Sequence, residues 1–519
     1  MSSILVVDVG TSGVRAALID GDRRSRHRRA SRGGAARLPR PGLVEFDARH
    51  LADAAMEVAH AMVAGAGEVG AVGIANQRAS TVVWDRTTGE PVGPAIGWQD
   101  LRTVGDCLVL QGEGVRLAPN QSATKVKWLL DQFDPDRSRD LLFGTVDSWL
   151  VWQLTDGAHH VTDLSNAAVT GMTRLDGSGW DPRVLEALAI PDRSLPTIVD
   201  STGVVGEATA LAGSPPIAGI AGDQQASLVG QGCVRTGLAQ DHLRHRRHAR
   251  RSCLDAQRPA LRHAAARAAR SPSCAGARTV WLTWGLEAIM LSAGTNVEWL
   301  RDDLGLISSV AESHDVASTV DGTEGVVYVP ALLGLGTPHW DYGRAGTLLG
   351  LTRGSRPRPS VVRAVLEGVA QRGADLVEAT EADADIDLAS LRVDGGMSAN
   401  TTFLRALADA TGRPVEVSPV TEATTLGAAL LAGLATDAWG GWDDVAATWR
   451  PSRVRRARAR RSTASCGVRP SVEPAAGSPT SRDSTSSVPP PRSHPRAAAS
   501  GNSGRSASAG RCHREESDI

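Results

Sequence analysis

Lysine is almost absent from this chain of 519 residues and occurs only at Lys125 and Lys127. Arginine therefore supplies nearly all of the positive charge, and the net charge at pH 7 is −1. A balance this close to zero argues against a general attraction to nucleic acid or to an acidic membrane surface. The bias toward arginine is also what GC-rich coding produces, so it carries little information about function.

Cysteine pairs and long apolar runs are missing as well. The six cysteines form no Cys-x-x-Cys pair and have no Cys/His ligand spacing, which argues against a zinc site or a disulfide framework. No apolar run approaches the length of a membrane span, and the amino terminus leads directly into a strand pattern without signal-peptide regions. We therefore expect a cytoplasmic protein that has neither a membrane nor a nucleic acid as a partner.

Buried strands alternate with amphipathic helices along most of the chain. The first half has strand patterns at Ile4–Val9 and Val69–Ala75, helical periodicity at Ala52–Ala66, and a further helix predicted over Leu141–Leu154. The second half has the same order, with a strand at Leu391–Val393 before two helices. This alternation predicts an α/β protein in which two related halves enclose a cleft.

Two strand ends carry residue types that suit phosphate. In the segment DVGTSGVR, Asp8 ends a strand and a Gly-Thr-Ser-Gly turn follows. Backbone N–H groups and hydroxyls in such a turn can hold phosphate oxygens, and the carboxylate can hold a magnesium ion through water. An ordinary hairpin turn accounts for the same residues equally well. The segment VDGGMSAN, which ends at Asn400, is a second strand end of this kind, although Gly-Gly turns are common.

Three residues are candidates for contact with a substrate. Asp223, in the segment AGDQQA, is a carboxylate that could take the proton from an attacking hydroxyl, although a lone Asp in a turn usually caps a helix. Arg78 could bind a polyol by hydrogen bonds and Trp98 by packing of its apolar face. For Trp98, core filling is the simpler role when the residue is considered alone.

In combination and in order, these segments resemble the FGGY carbohydrate kinases, and the glycerol kinase branch most of all. The resemblance extends, with breaks, from about Ile4 to Trp439. The segments that carry it are DVGTSGVR, NQRASTVVWD, GWQDLRT, SATKVKWLLD, GTVDSWLVWQLT, VTDLSNA, GIAGDQQASLVGQ, WLRDDLGL, VYVPALLGLGTPHWD, GLTRG, LRVDGGMSAN and TLGAALLAGLA.

The resemblance implies two ribonuclease-H-like (actin-like ATPase) domains that close over ATP and a polyol or sugar. It predicts a domain at 1–236 that binds the polyol and supplies the catalytic base, and a nucleotide-binding domain at 237–449. Residues 450–519 are rich in Arg, Ser and Pro without apolar periodicity, which predicts a disordered tail. The acceptor and the oligomeric state stay open, with a homodimer and a homotetramer as alternatives.

The site residues implied by the resemblance are those that match family motifs. Asp223 matches the general base, and Asp8 the carboxylate associated with Mg²⁺. Residues that match substrate contacts are Arg78, Trp98, Asn120, Asp223 and Gln224. Residues that match contacts with ATP are Thr11, Ser12, Gly13, Arg15, Gly294, Glu298, Gly396 and Asn400.

Three positions in or beside these motifs depart from the glycerol kinase pattern. Ala79 stands where those kinases carry Glu, and Asn120 where they carry Tyr, so two hydrogen-bonding groups are missing and the pocket is larger. Because a site built for hydroxyls discriminates strongly, we hypothesise a longer polyol or a ketose as acceptor, with a xylulose- or ribulose-type kinase as the alternative. Glu298 replaces a family Gln and adds negative charge near the phosphates.

The segment Asp241–Arg250, DHLRHRRHAR, stands where the family has a second phosphate loop of the form ITFGTGGML. One permitted set of codons for it, read one nucleotide later, encodes Ile-Thr-Phe-Gly-Thr-Gly-Gly-Met-Leu. We interpret the segment as a phosphate loop in a shifted frame that is restored by about Trp281. The same disturbance would account for Asp22–Arg37 and for the residues after about Val454. An unbroken DNA frame across 237–280 would contradict this interpretation.

The basic segment suits a nucleic-acid site or a metal site less well. A nucleic-acid site would be expected to carry interleaved aromatic residues, and a metal site at His242, His245 and His248 lacks supporting carboxylates. A solvated basic loop remains as the plain alternative. In that case the second phosphate loop is missing, and a pseudokinase that binds without turnover is the competing function. An actin-like ATPase without a sugar substrate is a third hypothesis, against which Arg78 and Trp98 argue.

Overall fold

The computed structural model describes residues 3–20, 25–33, 39–235, 237–243, 249–255, 265–272, 280–354, 356–420 and 422–455. Within these ranges, 25–33, 241–243, 249–255, 265–272, 280–284 and 448 are described by their backbone only. The described residues fall within one compact unit, Met1–Ala459. The predicted tail lies outside the described residues from 456 onward.

The first half of the chain contains twelve strands and seven helices among the described residues. The strands are β1 (Ser3–Gly10), β2 (Gly13–Ile19), β3 (Ser25–Gly33), β4 (Glu45–Phe46), β5 (Val69–Asn76), β6 (Val82–Asp85), β7 (Ala95–Ile96), β8 (Leu141–Gly144), β9 (Val161–Asp163), β10 (Thr197–Val199), β11 (Thr202–Glu207) and β12 (Pro216–Gly222). The helices are α1 (Ala48–Val63), α2 (Val104–Gly112), α3 (Ala123–Phe133), α4 (Val146–Leu154), α5 (Leu164–Ala167), α6 (Pro182–Ala187) and α7 (Asp223–Gly230), with a 3₁₀ turn at Asp192–Ser194.

The second half repeats this mixture. Its strands are β13 (Leu238–Leu243), β14 (Ala249–Asp255), β15 (Ala265–Pro272), β16 (Val280–Met290), β17 (Val327–Val329), β18 (Thr347–Leu349), β19 (Ser390–Asp394), β20 (Val415–Val417) and β21 (Arg453–Arg455). Its helices are α8 (Thr295–Asp302), α9 (Glu312–Ser318), α10 (Pro357–Ala384), α11 (Thr401–Thr411), α12 (Ala423–Ala435) and α13 (Trp442–Thr448), with a 3₁₀ turn at Gly396–Ala399. None of the helices in the described ranges is long and apolar enough to cross a bilayer.

The first sheet has six strands in the order β11-β12-β5-β1-β2-β3. The central strands β12, β5 and β1 are parallel, and in their register Asp8 lies beside Ala75, which lies beside Ala221. The carboxyl ends of the three strands therefore meet at one edge, which we call the first-sheet edge. Loops that follow parallel strands at such an edge are the usual place for a ligand in α/β proteins.

Apolar side chains cover both faces of this sheet. On one face, α1 buries Leu51, Ala55 and Val58 in a core shared with β1, β2 and α4. The start of α1 is fixed by Asp47, whose carboxylate accepts hydrogen bonds from the backbone N–H groups of Arg49 and His50. The other face is covered by α12, whose run of Ala and Leu residues packs on β1, β5 and β12.

The predicted helix over Leu141–Leu154 is wrong in its first turn. Leu141–Gly144 is strand β8, paired antiparallel with β6, and helix α4 begins at Val146. A run of four buried residues satisfies a strand as well as a helix, so periodicity alone could not separate them. These strands pack with α3 and α6 in a separate apolar cluster beside the first sheet.

The second sheet has seven strands in the order β15-β16-β14-β13-β19-β20-β21. Its register places His242 beside Asp394, and Leu243 beside Ala249, which lies beside Met290. The carboxyl ends of β13, β16 and β19 therefore share one edge, the second-sheet edge. Helices α10 and α11 bury a continuous apolar face against this sheet.

Helices α7 and α12 cross where the two halves of the chain meet. A Cβ atom added at Gly427 would lie 1.7 Å from the carbonyl oxygen of Ala226, and one added at Gly230 would lie 1.9 Å from that of Ala423. Only glycine permits so close an approach of two backbones. Although α12 falls within the predicted second domain, it packs on the first sheet, so the two halves share an apolar interface.

Candidate active site

Two predicted site residues, Arg78 and Asp223, meet at the first-sheet edge. Arg78 follows the end of β5 by two residues, and Asp223 follows β12 directly. The Arg78 Nε atom lies 3.6 Å from Asp223 Oδ1. Parallel strands that end in register thus bring together a cation and a carboxylate that are far apart in the sequence.

Arg78 is held from the second sheet by a residue that the sequence analysis did not single out. Its Nη2 donates to both carboxylate oxygens of Glu287 on β16, at 3.0 and 3.3 Å. Burial works against the guanidinium charge, but the carboxylates of Glu287 and Asp223 outweigh it and raise the pKa of Arg78. A Cβ at Gly222 would lie 2.6 Å from Arg78 Cγ and Cδ, so the glycine leaves room for the arginine stem.

The side chain of Asp223 is accessible to solvent, whereas that of Arg78 is buried. It is the first residue of α7 after the N-cap Gly222, so it does not itself cap the helix. Its Oδ1 accepts a hydrogen bond from the backbone N–H of Gln224 at 2.9 Å. The Asp223 side chain is 24% exposed, against 7% for Arg78. A carboxylate that is anchored on one oxygen and open to a ligand can act as a base.

Trp98 links the candidate substrate residues to the turn after β1. Its indole Nε1 donates to the hydroxyl of Thr11 at 3.1 Å, and its backbone N–H donates to Ser80 Oγ at 3.1 Å. Behind it, the fully buried Lys125 donates from Nζ to the carbonyl oxygen of Gly97 at 2.9 Å. Burial lowers the pKa of Lys125 to about 7. The half-buried Trp98 is therefore fixed beside the predicted phosphate turn and is not core filling.

The turn between β1 and β2 contains the predicted phosphate-binding residues. Thr11 and Ser12 are exposed, and Gly13 is buried at the start of β2. Arg15 on β2 lies between two carboxylates, with Nη1 at 3.6 Å from Asp8 Oδ2 and 3.2 Å from Glu422 Oε2. Glu422 precedes α12, so the second half of the chain also reaches this turn. Sequence reasoning did not identify Glu422.

Two of the three positions that depart from the glycerol kinase pattern, Ala79 and Asn120, belong to neighbouring loops. Ala79 is buried in a left-handed backbone conformation with φ 61°, which is strained for a residue with a side chain. Its carbonyl oxygen accepts a hydrogen bond from Ser122 Oγ at 3.1 Å. Asn120 is exposed two residues before Ser122. The loop that carries Asn120 is thereby tied to the loop that carries Ala79.

The predicted nucleotide contacts follow strands that end at the second-sheet edge. Gly294 is the N-cap of α8, and Glu298 lies in the first turn of that helix. Gly396 opens the 3₁₀ turn after β19, and Asn400 is the N-cap of α11. The Asn400 side chain accepts from the N–H of Phe403 at 3.0 Å and donates to Ser313 Oγ at 2.9 Å. Asn400 therefore has a structural role at this edge.

A magnesium ion would find one buried carboxylate at the first-sheet edge. Asp8 lies at the end of β1, and its side chain is 6% exposed. Within the described ranges, no three His, Cys, Asp or Glu side chains gather to form a metal site. Magnesium is usually held by one or two carboxylates together with substrate phosphates. The donor set at Asp8 fits that arrangement.

The basic segment after β12 and α7 is described only in part. β13 ends at Leu243 and β14 begins at Ala249, and these two residues pair at the second-sheet edge. The side chains of His242, His245 and His248 lie outside the described residues, as does the loop that the frame interpretation concerns. The shifted frame and the solvated basic loop both stay predictions.

Glu287 and Lys125 carried a signal that sequence reasoning missed. Glu287 is the lone charged residue in the run GLEAIML, and Lys125 is one of the two lysines in the chain. Charged side chains are almost never fully buried without a partner, so a single charge in an apolar run points to a partner elsewhere. What the sequence did not reveal was which residue that partner is.

Similarity to known proteins covers both halves of the chain. Residues 3–230 match the N-terminal domain of the FGGY family of carbohydrate kinases, and residues 273–436 match its C-terminal domain. A glycerol kinase from Trichlorobacter lovleyi is 42% identical over 484 residues, which cover 88% of this chain and 94% of the relative. One from Deinococcus radiodurans is 38% identical over 476 residues, with 87% and 92% covered.

A solved structure is similar to this protein over most of the chain. The crystal structure of Plasmodium falciparum glycerol kinase with ADP matches with a TM-score of 0.81 and 26% identity, over 88% of this chain and 94% of that one.

Proposed function

Because this chain belongs to the FGGY family of carbohydrate kinases, we propose that it transfers the γ-phosphoryl group of ATP to a hydroxyl of a polyol, as in glycerol kinases. The observation that supports this most directly is the pairing of Arg78 with the accessible Asp223 at the first-sheet edge. Phosphoryl transfer asks a protein chiefly for positioning and for charge neutralisation, and both are available at this edge.

Asp223 is the proposed general base. Oδ1 is engaged by Gln224 and lies near Arg78, so we assign proton acceptance to Oδ2. The acceptor hydroxyl gives its proton to Asp223 while its oxygen bonds to the γ-phosphorus. The bond from that phosphorus to the bridging oxygen breaks, and ADP leaves with the electron pair. Arg78 and Trp98 would hold the polyol in line for this attack.

The turn after β1 and the second-sheet edge are the proposed nucleotide contacts. Thr11, Ser12 and Gly13 present hydroxyl and N–H groups, and Arg15 adds a positive charge between Asp8 and Glu422. Gly294 and the residues after β19 would bind the rest of ATP from the opposite side. Magnesium bound at Asp8 would neutralise charge on the phosphates.

We propose an acceptor longer than glycerol. Ala79 offers a buried methyl group where glycerol kinases have a carboxylate, and Asn120 lies exposed where they have a phenol. Glycerol would therefore lose hydrogen bonds that a longer polyol could replace with its additional hydroxyls. The names of the relatives favour glycerol itself, so the two acceptors must be compared directly.

The test is polyol-dependent release of ADP, with glycerol, erythritol, ribitol, xylulose and ribulose compared at equal concentrations. A larger kcat/KM for a four- or five-carbon acceptor than for glycerol supports the proposal. A clear preference for glycerol would contradict the longer acceptor but not the kinase. No ADP release with any of the five, together with no thermal stabilisation by any of them, would contradict the kinase.

A second candidate is a binding protein without turnover. Asp241–Arg250 contains none of the glycines expected of the second phosphate loop. If ADP release is absent but a polyol raises the unfolding temperature, this candidate is favoured.

A further inference from the structure

Glu287 is the deepest carboxylate of the Arg78 cluster and lies on the opposite sheet. Its side chain is 3% exposed, and its position on β16 is 209 residues from Arg78 in sequence. A carboxylate this deeply buried requires a cationic partner, and the guanidinium of Arg78 supplies it with two hydrogen bonds. The pair therefore joins the second sheet to the loop that follows β5 of the first sheet.

The hydrogen bonds of Arg78 go to Glu287 and not to Asp223. Arg78 Nη2 lies at hydrogen-bond distance from Glu287, whereas Arg78 Nε is 3.6 Å from Asp223 Oδ1. The Asp223 carboxylate is thus near the positive charge of Arg78 but remains accessible to a ligand. A neutral residue in place of Glu287 would compete less for the guanidinium of Arg78. That guanidinium could then pair directly with Asp223, and the carboxylate of the proposed base would no longer be available to a ligand.

One terminal nitrogen of the Arg78 guanidinium, Nη1, is available to a ligand. Among the residues that the structure describes, the buried Nη1 atom has no hydrogen-bond partner. A buried donor without a partner is costly and is therefore a natural place for a hydroxyl of the substrate. With Nη2 fixed by Glu287 and the stem lying over Gly222, the direction of Nη1 is determined.

We propose that Glu287 is a positioning residue for the polyol site. It holds Arg78 so that Nη1 faces the acceptor and Asp223 stays free to take a proton. Since β16 leads within a few residues to Gly294, Glu287 also connects the polyol pocket to the half of the protein proposed to bind ATP. This inference rests on the proposed function, because it assigns Glu287 to the same site.

The test is steady-state kinetics of Glu287→Gln with glycerol and ribitol as acceptors. The amide keeps the shape and one acceptor oxygen but removes the charge, so we expect kcat/KM for the polyol to fall about tenfold and the KM for ATP to change little. Glu287→Asp keeps the charge and should recover part of the loss. The matched control is Glu416→Gln on β20, which removes the charge of another Arg–Glu pair in the same sheet (Arg392–Glu416, 3.4 Å).

A double-mutant cycle with Arg78→Lys separates positioning from a general structural effect. Lys retains the positive charge, so Glu287 is not left unpaired. If Glu287 acts through Arg78, Glu287→Gln should cost about tenfold in the native background and less than about twofold in the Lys background. Additive losses in kcat/KM would overturn the inference.

Polyol-dependent thermal shifts of the same variants give a readout that does not need turnover. A wild-type chain that shows neither ADP release nor a polyol shift would overturn both the proposed function and the role of Glu287. A wild-type chain with either response, together with a Glu287→Gln variant that behaves like Glu416→Gln, would overturn the role of Glu287 alone. If Glu287→Gln does not fold, Glu287→Asp is measured in the native and the Arg78→Lys backgrounds. A loss in kcat/KM for the polyol that is smaller in the Lys background supports the role of Glu287, and equal losses overturn it.

Discussion

The two sheet edges of this protein are organised differently. At the first-sheet edge, charged side chains meet at defined distances, and each is held by a residue distant in sequence: Arg78 by Glu287, and Arg15 by Glu422. At the second-sheet edge, the predicted nucleotide contacts are two glycines, the helix cap Asn400 and a single charged residue, Glu298. Asn400 is occupied by the N–H of Phe403 and by Ser313. Chemistry that moves a proton needs fixed charges, whereas phosphate binding can rely on the backbone.

The two kinds of site should also differ in how well they tolerate amino-acid substitutions. A backbone site depends on glycine at positions where a side chain would block the ligand, so one altered segment can remove it. A site built from paired side chains keeps its geometry as long as its partners remain. At the first-sheet edge the structure brings Arg78, Asp223 and Glu287 together, whereas the predicted second phosphate loop at the other edge falls largely outside the described residues.

The largest effect should come from Asp223→Asn, which removes the proposed base. General base catalysis contributes about 10²–10⁴-fold, so kcat for polyol phosphorylation should fall by about 10³-fold. The measurement is ADP release at saturating polyol, with the polyol-dependent thermal shift as a check that binding persists. A kcat within tenfold of the wild type would show that another group accepts the proton.

The next effect tests the second-sheet edge. Replacing Asp241–Ala249 by Ile-Thr-Phe-Gly-Thr-Gly-Gly-Met-Leu would supply the backbone donors of a phosphate loop, and each such donor is worth about 10²-fold or more in rate. We therefore expect kcat/KM for ATP to rise by about 10²-fold. A matched control carries nine Gly and Ser residues in the same place. Equal activity of the control and the replacement would contradict the frame interpretation.

Gly427→Ala should lower the free energy of unfolding, because it disturbs the close crossing of α7 and α12. The added methyl group would overlap the carbonyl of Ala226, and overpacking of this kind costs about 1–3 kcal/mol. Urea denaturation monitored by tryptophan fluorescence measures the loss. The control is Gly105→Ala in α2, where a Cβ meets nothing within 4 Å and helix propensity should give a small gain. Similar stability of the two variants would contradict the close crossing.

A further effect concerns Lys125, which supports the loop that carries Trp98. Burial lowers the pKa of Lys125 to about 7 from its ordinary 10.5, so between these values the unfolded chain binds a proton that the folded protein has released. The free energy of unfolding should therefore rise with pH in this window, by at most about 1.4 kcal/mol per pH unit. Lys125→Met should lose this dependence, and Lys127→Met, in the partly exposed pair with Asp131, should retain it. Identical pH profiles of the two variants would contradict the buried position of Lys125.

The sequence by itself determined the local structure and the family. DVGTSGVR and AGDQQA fixed strand, turn and helix start within a few residues, because glycines and short polar side chains act on their own backbone. The first of these patterns placed Asp8 at a strand end, whereas the positions of Arg78 and Asp223 directly beyond two neighbouring parallel strands came from the structure. They did not separate β8 from α4, because a short apolar run has no period of its own.

Only the tertiary structure decided which side chains and helices pair with one another. That Glu287 holds Arg78, that Glu422 reaches Arg15, and that α12 packs on the first sheet depend on how two sheets meet at the glycine crossing of α7 and α12. A hydrogen bond between residues 209 apart leaves no local pattern, since its geometry is set by the register of strands and the contact of helices. The sequence named Arg78 and Asp223 as candidates, and the packing of the two halves determined that Arg78 donates its hydrogen bonds to Glu287 and not to Asp223.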